Sequence, residues 1–208
     1  MSGFMSNKKA SFVKNEGHNQ ENLFALERNG NVIKGRSKID VIVNNDNYQL
    51  KRGKRYQWAL YSNLNKINSI PYLNMNFLNL LKNENLQDRN KRIKIQKKLM
   101  CECVSILQDK KKLKKFLDFM IYDNIDNLLH RFLFDDCVFY SKKSDFLNDL
   151  LECDVVSSRG NRKILLKKKL NIIEIEVRSD KKSILMVSTS KNIRKIILNN
   201  GKYLMEYI

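Results

Sequence analysis

The chain has 208 residues, of which 42% are hydrophobic and 30% charged, so one packed core is within reach and wholesale disorder is excluded. Forty Lys and Arg face 22 Asp and Glu, a formal surplus of +18. That surplus on a small protein points to a polyanionic partner such as nucleic acid, although the abundance of Asn, Lys and Ile is also what an AT-rich genome produces through codon usage. The segment Met1–Lys9 lacks the apolar core of a signal peptide, and no uncharged apolar run approaches the ~18 residues that a membrane span needs. The expectation is a soluble, cytoplasmic protein with no membrane contact. The four cysteines, Cys101, Cys103, Cys137 and Cys153, form no Cys-x-x-Cys pair and the two histidines, His18 and His130, are far apart, so reduced thiols are expected rather than structural zinc.

Residues 19–28 place Leu23, Phe24 and Leu26 on an amphipathic helix that stops at Asn29-Gly30. Residues 38–43 are rich in β-branched types and read as a strand, Asn44–Asn47 as a turn and Tyr48–Lys51 as a second strand, together a hairpin. A helical period resumes over 54–67 with Trp58, Leu60, Tyr61, Leu64 and Ile67. Pro71 then separates the first third from a block, 72–151, dominated by helical patterning, whose apolar faces carry Ile93, Leu99, Val104, Leu107, Leu113, Phe116, Leu117 and Met120. From about 160 to 208 the period shortens: 164–167, 171–178 and 183–189 read as strands, the last two joined by a turn at Ser179–Lys182. The simplest account is one α/β domain, 1–208, with a helical middle segment.

Chemistry-bearing residues concentrate in 17–61. Gly17-His18-Asn19-Gln20-Glu21 opens the first helix, Asp40 lies in the first strand, Gln49 and Lys51 lie two apart on the second, and Gln57 and Tyr61 follow on the next predicted helix. A hairpin with Asp40 on one strand and Lys51 on the other brings a carboxylate and an ammonium to one sheet edge, while Leu50 turns into the core. The same alternation describes any half-exposed strand. In order and spacing, however, the stretch resembles the PD-(D/E)XK nuclease superfamily: Asp40 matches its first acidic position, Gln49 the second, Lys51 the lysine and Glu21 the helix acid. Gln57-x-x-x-Tyr61 looks like the helix that follows the lysine in some members. The run from Lys38 through Arg52, Lys54 and Arg55 to Tyr61 is similar to a segment of type II restriction endonucleases. The resemblance covers about a fifth of the chain.

It implies a mixed sheet flanked by helices and Mg²⁺-dependent hydrolysis of phosphodiester bonds in double-stranded DNA. Asp40, Glu21 and the Gln49 oxygen would hold the metal, Lys51 would stabilise charge on the phosphate or help deprotonate water, and Gln57 would orient Lys51 or a phosphate oxygen. Gln49 departs from the pattern, since an amide oxygen coordinates a hard cation without contributing charge; Asp46 or Glu16 are candidates to replace the missing acid. Lys38, Arg52, Lys54 and Arg55, with the runs Lys167–Lys169 and Lys110–Lys115, are candidate DNA contacts. A homodimer follows from palindromic sites, and a cognate DNA methyltransferase is expected in the same system without a stable complex. The alternatives are a repair or recombination nuclease of the same fold and a catalytically inactive basic nucleic-acid-binding protein. His18 is either a metal assistant or a surface residue, His130 reads as packed, and Glu174, Glu176 and Arg178 lie on a strand as restriction-enzyme tails do or simply at a solvent-facing edge.

Overall fold

The computed structural model describes residues 7–35, 38–61, 69–72, 89–160, 163–178 and 183–207. In chain order these form α1 (Asn7–Glu27), β1 (Asn31–Val32), β2 (Val41–Val43), β3 (Asp46–Lys51), β4 (Arg55–Tyr61), α2 (Arg89–Leu107) and α3 (Lys110–Leu117), followed by a short π-helix at Asp118–Tyr122. Then come β5 (Leu128–Leu133), β6 (Cys137–Ser141), α4 (Lys143–Leu151), β7 (Asp154–Ser157), β8 (Lys163–Lys168), β9 (Leu170–Arg178), β10 (Ser183–Thr189), α5 (Ser190–Asn200) and β11 (Leu204–Tyr207). The fold is mixed α/β with two sheets, and among the described residues no helix is long and apolar enough to cross a membrane.

Two compact units share these elements. The first takes Met1–Arg52, Asp126–Lys143 and Leu204–Ile208; the second takes Gly53–Ile125 and Ser144–Tyr203. In the first, six strands run in the order β1-β2-β3-β5-β6-β11. The sheet is mixed because β3 and β5 are parallel, in register Gln49↔His130 and Lys51↔Phe132, while its other neighbours are antiparallel. α1 buries Phe24 and Ala25 against Val41 and Val43, with Val32, Tyr48, Leu50 and Tyr140 around them. Aromatic edges carry this contact: Phe24 meets Tyr48 at 5.2 Å, and the Arg131 guanidinium lies 4.7 Å from the Phe24 ring centre. As expected, α1 stops at Asn29 (φ 51°) and Gly30.

The second unit is a five-stranded antiparallel sheet, β4-β10-β9-β8-β7. α3 starts on Asp109, whose carboxylate accepts the Lys111 and Lys112 amides (2.8 and 3.1 Å), and buries Leu113, Phe116 and Leu117. α5 starts on Thr189 and ends at Gly201 (φ 57°).

Two expectations need correction. The helix over 54–67 is instead β4 in its described part: Tyr56 and Trp58 are buried, Arg55 and Gln57 are exposed, and the strand pairs with β10. Trp58 stacks on Tyr56 at 5.9 Å and meets Phe146 edge-on at 5.8 Å, so pairing and aromatic packing override a pattern that also fits a helical period. Leu64 and Ile67 lie outside the described residues, as do 73–88 of the helical block and the Ser179–Lys182 turn. The helical reading of 72–151 also fails at β5 and β6, where burial alternates along Leu128–Leu133 with period two. The three C-terminal strands stand where the pattern put them.

Gly30 and Gly17 give opposite expectations. A Cβ on Gly30 would meet the Ile42 carbonyl at 2.6 Å and Val43 Cγ2 at 2.7 Å, whereas one on Gly17, within α1, meets nothing within 4 Å. Gly30→Ala should cost about 1–3 kcal/mol by overpacking, and Gly17→Ala should stabilise by about 1 kcal/mol through helix propensity. Urea unfolding followed by circular dichroism checks both signs.

Candidate active site on the β2–β3 hairpin

The hairpin turns on Asn44 and Asn45, at φ 49° and 69°, the left-handed pair a two-residue hairpin turn needs and asparagine tolerates. With Val41 opposite Tyr48, the register puts Val41, Val43, Tyr48 and Leu50 on the face covered by α1, and Gln49 and Lys51 on the other. Leu50 thus turns into the core as expected. β3 is not at an edge, because β5 pairs with its far side. Gln49 and Lys51 are therefore buried, not half-exposed.

Asp40 immediately precedes β2 and ties the hairpin at three points. Its amide donates to the Tyr48 carbonyl (2.8 Å), its carbonyl accepts the Ile33 amide (2.9 Å), and its Oδ2 accepts the Leu50 amide (2.7 Å). Burial pushes the Asp40 carboxyl up to about 6, against the pull of Lys51 and the Leu50 amide; Glu21 adds to the rise and Lys38 opposes it. Burial brings the Lys51 ammonium down to about 8, with Asp40 working the other way. Glu21 is half-buried on α1, and its Oε2 lies 3.0 Å from Nδ1 of the exposed His18. The structure therefore brings Asp40, Glu21, Lys51 and Lys38 into one electrostatic group in the first unit.

Gln49 has a partner that the sequence reading did not anticipate. His130 on β5 is fully buried and its Nε2 lies 3.1 Å from the Gln49 amide oxygen. Burial, then Lys51 and Lys38, holds His130 well below the ordinary histidine range, so the ring is neutral. The available signal was the period-two alternation of Leu128, His130 and Phe132, which a helical reading of the block conceals.

The remaining candidates spread out. Arg52 pairs with Glu16 at 3.7 Å in the first unit, which engages one acid considered as a substitute ligand; Asp46, the other, is exposed at the turn. Gln57 is exposed on β4 of the second unit, so the predicted Gln57–Tyr61 helix is a strand. Lys54 and Arg55 are exposed in that unit, and so are Lys167, Lys168 and Lys169, with Lys168 paired to Glu152. Lys110–Lys112, Lys114 and Lys115 are exposed on α3, where Lys110 Nζ donates to the Cys153 carbonyl. Glu174 pairs with Lys163 at 2.9 Å, and Glu176 is half-buried. None of the four cysteines, all of them described residues, is in a disulfide.

As to a metal, among the described residues no three His, Cys, Asp or Glu side chains are grouped to hold one. The Glu21 charge adds to the rise of the Asp40 carboxyl, which puts the two acids in one neighbourhood. One or two carboxylates completed by substrate phosphate and water is an arrangement Mg²⁺ accepts, and Asp40 and Glu21 are the acids here that could supply that share. No protein-family model and no curated protein matches this chain.

The Asp40 environment sets a pH dependence. A carboxyl whose folded value lies above its ordinary 3.8 holds its proton more tightly when folded. Its contribution is therefore complete below about pH 4 and is lost as the pH rises through about 6. Metal-free unfolding free energy should fall by on the order of 2 kcal/mol across that window, and Asp40→Asn should flatten the fall. Chelator-treated urea titrations at pH 4, 5, 6 and 7 measure it.

Proposed function

We propose that the chain is a Mg²⁺-dependent endonuclease with a fold of PD-(D/E)XK type, hydrolysing phosphodiester bonds of double-stranded DNA at a short specific site. The supporting observation is the convergence of Asp40, Glu21 and a buried, desolvated Lys51 from a helix and a hairpin in the order the resemblance expects. Acid–amine pairs with perturbed proton affinities cluster at functional sites.

Asp40 and Glu21 would hold the ion, with phosphate oxygens completing its shell. When bound, Mg²⁺ supplies charge neutralisation at the phosphate and a more acidic water. Lys51, with its proton held less firmly than in water, is suited to steady the developing phosphate charge or to take a proton from the attacking water. Asp40 favours the charged form of Lys51, and the Leu50 amide holds the Asp40 carboxylate. Lys38 adds a second cation beside the carboxylates. A homodimer would match the symmetry of a palindromic site. One observation favours an inactive DNA-binding protein instead: the Gln49 oxygen, expected on the metal, faces His130.

Asp40→Ala and Lys51→Ala should each abolish Mg²⁺-dependent conversion of plasmid into discrete bands while duplex affinity stays within about tenfold, because phosphate contacts elsewhere supply most of the binding. Cutting by either variant at the wild-type rate removes the assignment. Smearing of the plasmid by the wild type favours a repair nuclease, and binding without cleavage favours the inactive reading.

The basic runs have their own test. Replacing Lys167, Lys168 and Lys169 by Gln should flatten the dependence of log K on log[salt] by about two units, at about 0.9 per phosphate contact. Lys168 is already occupied by Glu152, so it adds little. Fluorescence anisotropy across a salt series reads the slope; an unchanged slope moves the interface to Lys110–Lys115.

A further inference from the structure

Gln49 and His130 sit directly opposite each other on parallel β3 and β5, both buried, and the two side chains meet through Gln49 Oε1 and His130 Nε2. A carbonyl oxygen only accepts, so the ring nitrogen facing it carries the proton. The other end of the planar amide, an NH₂ with two donors, is then directed away from the ring.

We propose that His130 fixes Gln49 with its amide nitrogen turned to the substrate, so that Gln49 donates hydrogen bonds to a non-bridging phosphate oxygen instead of ligating the metal. This rests on the nuclease reading for its substrate, and it replaces the ligand role expected for position 49. The site then has two anionic ligands and two phosphate-directed groups, Lys51 and Gln49, on adjacent positions of one strand face. His130 is a positioning residue: it touches Gln49 and not the substrate. It also explains why a glutamine suffices here. A carboxylate at 49 would face the ring equally well as an acceptor but would leave no donor for the phosphate.

The first measurement does not need activity. In metal-free, ¹⁵N-labelled protein, long-range proton–nitrogen correlations of the imidazoles report which nitrogen of His130 bears hydrogen, and His18→Gln identifies the other ring. A protonated Nε2 is expected. A bare Nε2 with protonated Nδ1 would mean that the amide is reversed and its oxygen is free for a cation, and this overturns the proposal. The second measurement is duplex affinity in chelator. Gln49→Glu and Gln49→Met should each weaken it at least fivefold, and His130→Phe combined with Gln49→Met should be no weaker than Gln49→Met alone, because the two residues act as one unit. Unchanged metal-free affinity in Gln49→Glu, together with a lower Mg²⁺ concentration at half-maximal cleavage, would restore the ligand role. If the wild type cuts no DNA under any divalent cation, the nuclease reading falls, and the spectrum and the chelator affinities still decide the orientation of Gln49 and its contact with phosphate.

Discussion

β3 carries side chains of opposite character at alternate positions, and the two-residue turn at Asn44–Asn45 decides which face receives which. Sheet periodicity is two, so a one-residue slip of β2 against β3 would turn Gln49 and Lys51 toward α1 and deliver Tyr48 and Leu50 to the opposite face. Three features oppose the slip: the turn's two positive φ angles, the Val41–Tyr48 pairing packed on Phe24, and the bond from the Leu50 amide to Asp40. The last is a carboxylate standing in for a backbone acceptor one step beyond the end of the ladder. It ties register to chemistry, because the side chain that fixes β3 is the one that keeps Lys51 charged.

Burial of Lys51 beside Asp40 is unfavourable for stability taken alone, since desolvating an ion pair costs more than the pair commonly returns. A hydrophobic pair of similar volume would hold the strands at least as well. Retaining charge at the middle of a sheet makes physical sense where the charge is used, and the opposite shifts of the acid and the amine bring both proton affinities closer to neutrality than in water.

The hairpin was legible in the sequence because every signal for it is local: β-branched residues, a polar turn, and Asp40, Gln49 and Lys51 within twelve positions. So were the C-terminal strands, where Ile-rich runs leave few other readings. What escaped depends on distant partners. The segment holding Tyr56 and Trp58 reads as helix or strand until β10 pairs with it, some 130 positions further on. Leu128–Leu133 reads as part of a helical block until β3 is known to lie beside it. His130 went unassigned for the same reason, since its role is defined by a residue 81 positions away. Gln57, expected on a helix, stands on the strand β4 instead.

The parallel pairing of β3 with β5 has a consequence for the order of synthesis. Leaving the ribosome at about 5–20 residues per second, β3 waits about 4–16 s for the strand that will flank it. During that interval one side of β3 is an open row of amides and carbonyls, the kind of edge that recruits stray strands. Lys51 is then solvated and fully charged, at the end of that edge. A lone ammonium there discourages pairing with any strand that would bury it without a carboxylate beside it. The lysine that the finished protein buries within its sheet thus guards the same strand while the chain is incomplete.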